Sequence, residues 1–462
     1  MIGQAVFLLC GYGVHIFLAR RFGPSLYGNF GVVISILVWF ELAVIRGLPT
    51  AIQKFIAEDQ DNVYAIKRFF LYWQVLIAAL LFLILFAAAP LIAAALHDDR
   101  LTDFIRVAAF DLIIYAIYAL YLSVQNGLRE FRKQAIIISS YAVVRLVSIF
   151  TLVLLGLSLT GALIGNIIGS LGGLVLGIRF CKLEKKESAP FHKKKLIMFA
   201  VPTTLFFVVS NLLYNIDLWY VKSLLVNEAA GYYASAQFLA RVPLFVFFAL
   251  SFTLLPLLSQ AIKERKDEDA QHYISQAVRI LALVLIPMIF LVLSTSEPLV
   301  EMLYSAQYKP SAPILNVLIV AFSLLAFYTC MSTVLIAKNQ PMKVFVMTLC
   351  LVVFDMILIT KLIPRWGTLG AATSTTLTAG IGSLVIGIVV FKEYKLEFRL
   401  RYLMKIILAS LVVFSISNLY SIKASWLLIN YVMLLSVYFG LLVVLNVISR
   451  KELAAVKNLI LK

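Results

Sequence analysis

Among the ionisable side chains inside stretches that are otherwise apolar, seven could do chemistry: Glu41, Arg46, Asp111, Arg145, Asp217, Arg241 and Asp355. A charge at mid-depth in a bilayer costs about 2.5–3.5 kcal/mol on the insertion scale, so each must face protein or water. Glu41, Arg145, Arg241 and Asp355 are the deepest in their runs, Asp111 is slightly shallower, and Arg46 and Asp217 stand toward run ends. A carboxylate in low dielectric can exchange a proton or Na⁺ near neutral pH. That makes Glu41, Asp111 and Asp355 candidates for ion coupling. The alternative is that the same carboxylates pair with the arginines and lock helices together, and the residues leave both readings open. Arg106 and Arg279 fall near run ends, where they can snorkel. For His15, a packing role is favoured over a proton relay.

The runs that carry these charges dominate the chain. Hydrophobic residues make up 62% of 462 and the mean hydropathy is +0.98, more than a single soluble core can hide. About 20 apolar residues cross the hydrocarbon layer as a helix. Fourteen such runs are predicted, at roughly 2–19, 28–48, 69–95, 103–126, 135–157, 159–180, 196–221, 230–259, 274–295, 311–336, 343–363, 367–391, 403–420 and 424–448. The expected fold class is an all-α polytopic membrane protein.

With the N-terminus inside, the inside segments hold 27 of the 40 Lys and Arg and the outside segments 8. Basic residues accumulate on the cytoplasmic side, so both termini are expected there, in the inner (cytoplasmic) membrane. The net charge of +17 is then a consequence of topology, and nucleic-acid binding is not inferred. The first residues, Met1-Ile-Gly-Gln, lack a basic n-region, so a first span is expected rather than a cleaved signal. Cys10, Cys181, Cys330 and Cys350 show no metal or disulfide spacing. Tyr27, Trp219, Tyr220, Tyr232, Tyr233, Trp366 and Trp426 fall at outer ends, as an interfacial belt would.

The chain also echoes itself. Gly28-Asn29-Phe30 opens the second span as Gly231-Tyr232-Tyr233 opens the eighth. Pro90-Leu91 and Pro298-Leu299 end the third and ninth, and Gly161-Ala162 and Gly370-Ala371 open the sixth and twelfth. The sixth span carries glycine at 161, 165, 169, 173 and 177, and the twelfth carries Gly370, Ser374, Thr378 and Gly382. Residues four apart share a helix face, so each ridge lets another backbone approach closely. Two six-helix lobes related by a parallel repeat are expected, residues 1–181 and 196–392, joined by a basic cytoplasmic linker, 182–195. Two further helices and a tail fill 393–462. Such repeats suit a transporter with its site near the midplane between lobes.

Three segments resemble a known family. Leu18-Ala-Arg-Arg-Phe-Gly-Pro-Ser-Leu-Tyr-Gly-Asn-Phe30, Asn215-Ile-Asp217 with Gly231-Tyr-Tyr-Ala-Ser-Ala236, and Ile363-Pro-Arg-Trp-Gly-Thr-Leu-Gly-Ala-Ala372 occur in register across both lobes. They are similar to motifs of the Wzx-like O-antigen and exopolysaccharide flippases, in the superfamily of multidrug, oligosaccharidyl-lipid and polysaccharide exporters. The resemblance implies movement of a polyprenyl-diphosphate-linked oligosaccharide from the inner to the outer leaflet, with the bilayer and polysaccharide assembly proteins as partners. A guanidinium fork matches phosphate oxygens, so Arg46 and Arg241, in helices expected to line the cleft, become candidates for the diphosphate, with Arg145 a third. Asp217, in a family motif near the outer surface, is expected to serve a gate or cap. Metal ligands, resident cofactors and catalytic residues are not expected, coupling to H⁺ or Na⁺ aside. A cation-coupled drug antiporter of the same fold would want acidic rather than basic groups. A membrane polysaccharide polymerase would want a long outer loop, and no break here exceeds about fifteen residues.

Overall fold

The computed structural model describes residues 2–45, 48–58, 62–181, 205, 208–396, 400–420 and 424–447. Arg46 and the basic linker 182–195 lie outside the described residues. The described elements are helical: α1 (Ile2–Ile45), α2 (Leu48–Glu58), α3 (Val63–Ala95), α4 (Leu101–Gly127), α5 (Phe131–Leu152), α6 (Ser158–Phe180), α7 (Ile216–Leu224), α8 (Asn227–Ala240), α9 (Val242–Lys263), α10 (Asp267–Leu303), α11 (Ser311–Ala337), α12 (Pro341–Glu393), α13 (Leu400–Asn418) and α14 (Leu427–Val444).

Nine segments among the described residues are long and apolar enough to cross a membrane. Three of them, Gly3–Ile45, Phe131–Phe180 and Pro341–Glu393, run to 43, 50 and 53 residues. Each is long enough for two crossings, and each is broken near its middle by a glycine at positive φ. Gly23 (φ 70°) precedes Pro24 in α1. Gly156 (φ 94°) sits in the π turn Val153–Leu157 between α5 and α6, and Gly367 (φ 58°) follows Pro364 in α12. A left-handed φ costs glycine little and interrupts the helical path. The break at 156 falls at the end of the fifth predicted span and that at 367 at the start of the twelfth. Their separation, 367 − 156 = 211, is within two residues of the 370 − 161 = 209 that separates the glycines opening the sixth and twelfth spans.

Two compact units divide the chain, Met1–Ala234 and Ser235–Lys462. In the first, Ile52 and Ile56 of α2 pack with Ile66 and Phe70 of α3 and Leu120 and Val124 of α4. Helix α3 shows one face to protein and leaves an apolar face exposed. On α3, Gln74, Ala78, Leu85 and Ala89 are buried while Leu76, Leu80, Leu83 and Ile84 are exposed, an apolar face that only hydrocarbon would cover. The glycine ridge of α6 does the packing expected of it: a methyl at Gly165 would meet the Ile149 backbone and one at Gly169 the Arg145 backbone.

In the second unit, α13 and α14 lie against α10. Leu291, Ile406, Ala409, Val413, Leu434 and Tyr438 form their common core. The Tyr431 and Thr295 hydroxyls meet at 2.8 Å, and Tyr438 donates to the Leu283 carbonyl at 2.9 Å. Arg279 donates to the Tyr402 hydroxyl at 2.8 Å and to the Val447 carbonyl at 3.1 Å. The two C-terminal helices are thus fastened to one long helix by apolar contact and by hydrogen bonds at both depths.

Two of the aromatic residues expected at the membrane surface are core residues instead. Tyr27 and Tyr233 are buried, because each hydroxyl has a partner inside the protein. Tyr27 meets a ring nitrogen of His15 at 2.9 Å and Tyr233 donates to Asp217 at 2.6 Å. Trp366 and Trp426 are exposed, as a belt requires.

Candidate functional site

Three of the deep charges meet in the first unit. Glu41 of α1 and Asp111 of α4 are buried, and Arg145 of α5 lies within electrostatic reach of both. Asn166 of α6 donates to Asp111 at 2.5 Å. Ser170, one turn further along α6, is a second side-chain hydrogen-bond partner of Asp111. Tyr115 and Tyr141 close the surroundings, with Tyr141 hydrogen-bonded to Arg145. Gln74 of α3 supports the arrangement by donating to the Val44 carbonyl at 2.8 Å and the Ala116 carbonyl at 3.1 Å. It ties the end of α1 that bears Glu41 to the part of α4 that follows Asp111. Two carboxyl groups and one guanidinium thus share a medium that tolerates an unpaired charge poorly.

The second unit has its own buried carboxylate. Asp355, on the first half of α12, accepts from the Ser374 hydroxyl at 2.7 Å and from Thr378 at 3.1 Å. Both hydroxyls belong to the small-residue ridge of the second half of α12. In this repeat the ridge therefore does more than admit a neighbouring backbone: it turns two donors toward a carboxylate across the Gly367 break.

Arg241 stands in the turn between α8 and α9, partly buried. It donates to Gln237 Oε1 at 2.9 Å, and its guanidinium lies 5.8 Å from the Phe322 ring centroid. A neutral amide and an aromatic face orient the fork, an arrangement suited to holding a planar cation in place for an anion. Asp217 is fully buried in the first turn of α7. It accepts from the Tyr233 hydroxyl and, at 2.8 Å, from the Leu218 backbone N–H. A carboxylate at a helix N-terminus with two donors braces α7 against α8.

The structure gathers Glu41, Asp111 and Arg145 in the first unit and holds Arg241 and Asp355 in the second. One polar centre escapes the sequence reading, which counts Lys222 as a cation of an outer loop. Its side chain is buried, with a 0% exposed head beside Asp98. The ammonium donates to Asp98 at 2.8 Å, to Asn29 at 2.6 Å and to Asn227. Burial pushes the Asp98 carboxyl up, but the hydrogen bond and charge of Lys222 outweigh it and hold the group below its usual range. Burial pulls Lys222 down, with Asp98 acting against the shift. No run of residue types marks this centre; its only trace in the sequence is a lysine closing an apolar segment.

Among the described residues no group of His, Cys, Asp and Glu is arranged to hold a metal. Residues 17–313 match the family described as Polysaccharide biosynthesis protein. A curated relative, the probable low-salt glycan biosynthesis flippase Agl15 of Haloferax volcanii, is 20% identical over 80% of this chain and 77% of its own. The fold is similar to that of the lipid II flippase MurJ in its inward closed conformation, with a TM-score of 0.77 at 17% identity over 95% of this chain and 97% of that one. It is also similar to an inward-facing multidrug resistance MATE family transporter, with a TM-score of 0.71 at 13% identity over 85% and 98%. These relatives are named as flippases and transporters. A match over well more than half of its length places the chain in the polysaccharide biosynthesis protein family.

Proposed function

We propose that the protein moves a polyprenyl-diphosphate-linked oligosaccharide, of the kind used for O-antigen and other surface polysaccharides, from the cytoplasmic to the outer leaflet by alternating access. The observation that carries this reading is a guanidinium set in an apolar helix bundle, Arg241 over Phe322 with Gln237 at its edge, in a chain of the polysaccharide biosynthesis family. Arg241 and Arg46 take the diphosphate. Arg145 faces Glu41 and Asp111 and serves first to balance them. The lobes are residues 1–181 and 196–392, with 182–195 as linker and 393–462 as appendage, and polysaccharide assembly proteins consume the product. A drug antiporter of the same fold is disfavoured, because an organic cation would meet the arginine.

The orientation proposed places both termini in the cytoplasm of an inner membrane, by the 27-to-8 division of basic residues. Reporter fusions after Lys186 and after Tyr304 are expected to report cytoplasm and exterior respectively. The same side for both refutes it.

Asp355 is the residue proposed to couple transport to H⁺ or Na⁺. Asp355→Asn keeps a partner for the Ser374 and Thr378 hydroxyls and removes the charge that binds a cation. The variant is expected to insert normally, to retain downhill lipid movement and to lose gradient-driven accumulation in proteoliposomes. Full coupling in a stable variant removes Asp355 from the mechanism. The flippase reading itself is tested in cells: a deletion strain is expected to accumulate lipid-linked oligosaccharide on the cytoplasmic leaflet. Normal surface polysaccharide in that strain overturns it.

A further inference from the structure

Lys222 is a cation with three partners drawn from three separate stretches of chain. Asn29 follows the Gly23 break in α1, Asp98 lies in the turn between α3 and α4, and Asn227 opens α8. Its neighbours tighten the same junction: Ser223 donates to the Ala95 carbonyl at 2.9 Å, and His97 Nδ1 lies 3.0 Å from the Ser223 carbonyl oxygen. Beside this polar centre two helix starts touch backbone to backbone. A methyl built on Gly28 would stand 2.6 Å from the Gly231 amide nitrogen, and one on Gly231 would overlap the Pro24 carbonyl. Gly28 and Gly231 are the residues that the internal repeat makes equivalent, so the repeat's own opening motifs meet face to face.

A buried lysine is a poor way to gain stability. Desolvating an ion pair costs about as much as the pair returns, and an apolar replacement of similar volume is often as good. The same pair makes an effective switch, because once the stretches part, water solvates both charges and no penalty holds them together. The closed form is then strongly specified and yet easily left. Apolar packing of equal strength would expose hydrophobic surface on opening and oppose it. Two glycines at the contact let the backbones close fully, and the amide oxygens of Asn29 and Asn227 complete the lysine's coordination while the Asn29 amide nitrogen donates to Asp98 at 3.4 Å.

We propose that Lys222, Asp98, Asn29 and Asn227, seated beside the Gly28–Gly231 contact, form a reversible latch that shuts the outer end of the transport path. The location rests on the topology and the alternating-access reading proposed above; the latch itself is a property of the first compact unit. In each transport cycle the lysine leaves Asp98, α7 and the start of α8 draw away from α1 and the α3–α4 turn, and the ammonium and carboxylate become hydrated. Both asparagine amides can turn over to present oxygen or nitrogen, so the latch should accept its charges in reversed positions.

The test reads closure directly, without substrate. In full-length protein whose four native cysteines are replaced by serine, Ala95→Cys and Ser223→Cys place two thiols across the junction, and a short bifunctional maleimide reports how often they are together. Lys222→Met and Asp98→Asn are each expected to slow cross-linking roughly tenfold or more, and Gly231→Ala to slow it likewise through its overlap with Pro24. The exchanged pair Lys222→Glu with Asp98→Lys is expected to restore the rate to within about twofold of the parent. Parent-like cross-linking in both single charge variants overturns the latch. If those variants fail to accumulate, the exchanged pair and Gly231→Ala decide it, and a slow exchanged pair or an unaffected glycine variant overturns it equally. A latch that behaves as expected in a protein that moves no lipid-linked oligosaccharide leaves the latch standing and removes the flippase reading.

Discussion

Replacing Arg241 by alanine is expected to reduce export of the lipid-linked oligosaccharide by roughly 100-fold or more while leaving the protein in the membrane at near-normal level. A charge-assisted hydrogen bond contributes about 1.5–3 kcal/mol, and a guanidinium that grips a diphosphate makes two of them at once. The fold should tolerate the loss, since Arg241 stands in the α8–α9 turn, only partly buried, and touches Gln237 and Phe322. Arg241→Lys is expected to rescue only in part, because it keeps the charge and loses the planar fork. Export assayed by surface polysaccharide, beside protein level by immunoblot, separates a binding defect from misfolding. Normal export by a well-inserted alanine variant removes Arg241 from the site.

The largest stability effect is expected at Arg145. Without its guanidinium, Glu41 and Asp111 are left as two buried carboxylates in mutual reach. Removing one member of a buried ionic group costs about 3–5 kcal/mol. Arg145→Met should therefore lower the thermal unfolding temperature of the purified protein by many degrees. Adding Glu41→Gln and Asp111→Asn should restore most of it, because the uncompensated charges are gone and the Asn166 contact to position 111 can persist. If Arg145→Met unfolds at the parent temperature, the cluster is not an ionic lock, and Arg145 is freed for the substrate. Restoration of stability without restoration of transport would show that the cluster also works in the cycle.

Much of this was legible in the residues. Apolar run length gave the crossings, and the fold agrees, with the long helices broken at Gly23, Gly156 and Gly367. The depth of Glu41, Asp111 and Asp355 required them to be buried among partners, and all three are buried in the structure. What the sequence could not show is which helices meet. Helical periodicity gives a face and no neighbour, so Arg145 could have faced Asp355 as readily as Asp111. The likeness of Gly28 and Gly231 was visible as a repeat, but that two equivalent glycines touch follows from tertiary docking alone. Lys222 was hidden for a related reason. It closes an apolar run, where lysines ordinarily reach water, and only the arrival of the α3–α4 turn, with Asp98, takes it out of solvent. Tyr27 and Tyr233 were misplaced in the same way, since an amphipathic ring at a helix end suits a membrane interface and a buried polar partner equally.

The central claim is that a partly buried guanidinium recognises a diphosphate on a lipid carrier and that the protein turns this group across the membrane. Its most direct test reconstitutes the full chain into liposomes whose inner leaflet is loaded with a polyprenyl-diphosphate-linked oligosaccharide. Appearance of the sugar on the far leaflet is followed with an impermeant lectin, beside a carrier whose diphosphate is replaced by a neutral linkage. The expected result is fast appearance of the diphosphate-linked sugar, little movement of the neutral one, and loss of the difference in Arg241→Ala. Equal movement of both lipids by the parent protein, or none of either under any ion gradient, would contradict it.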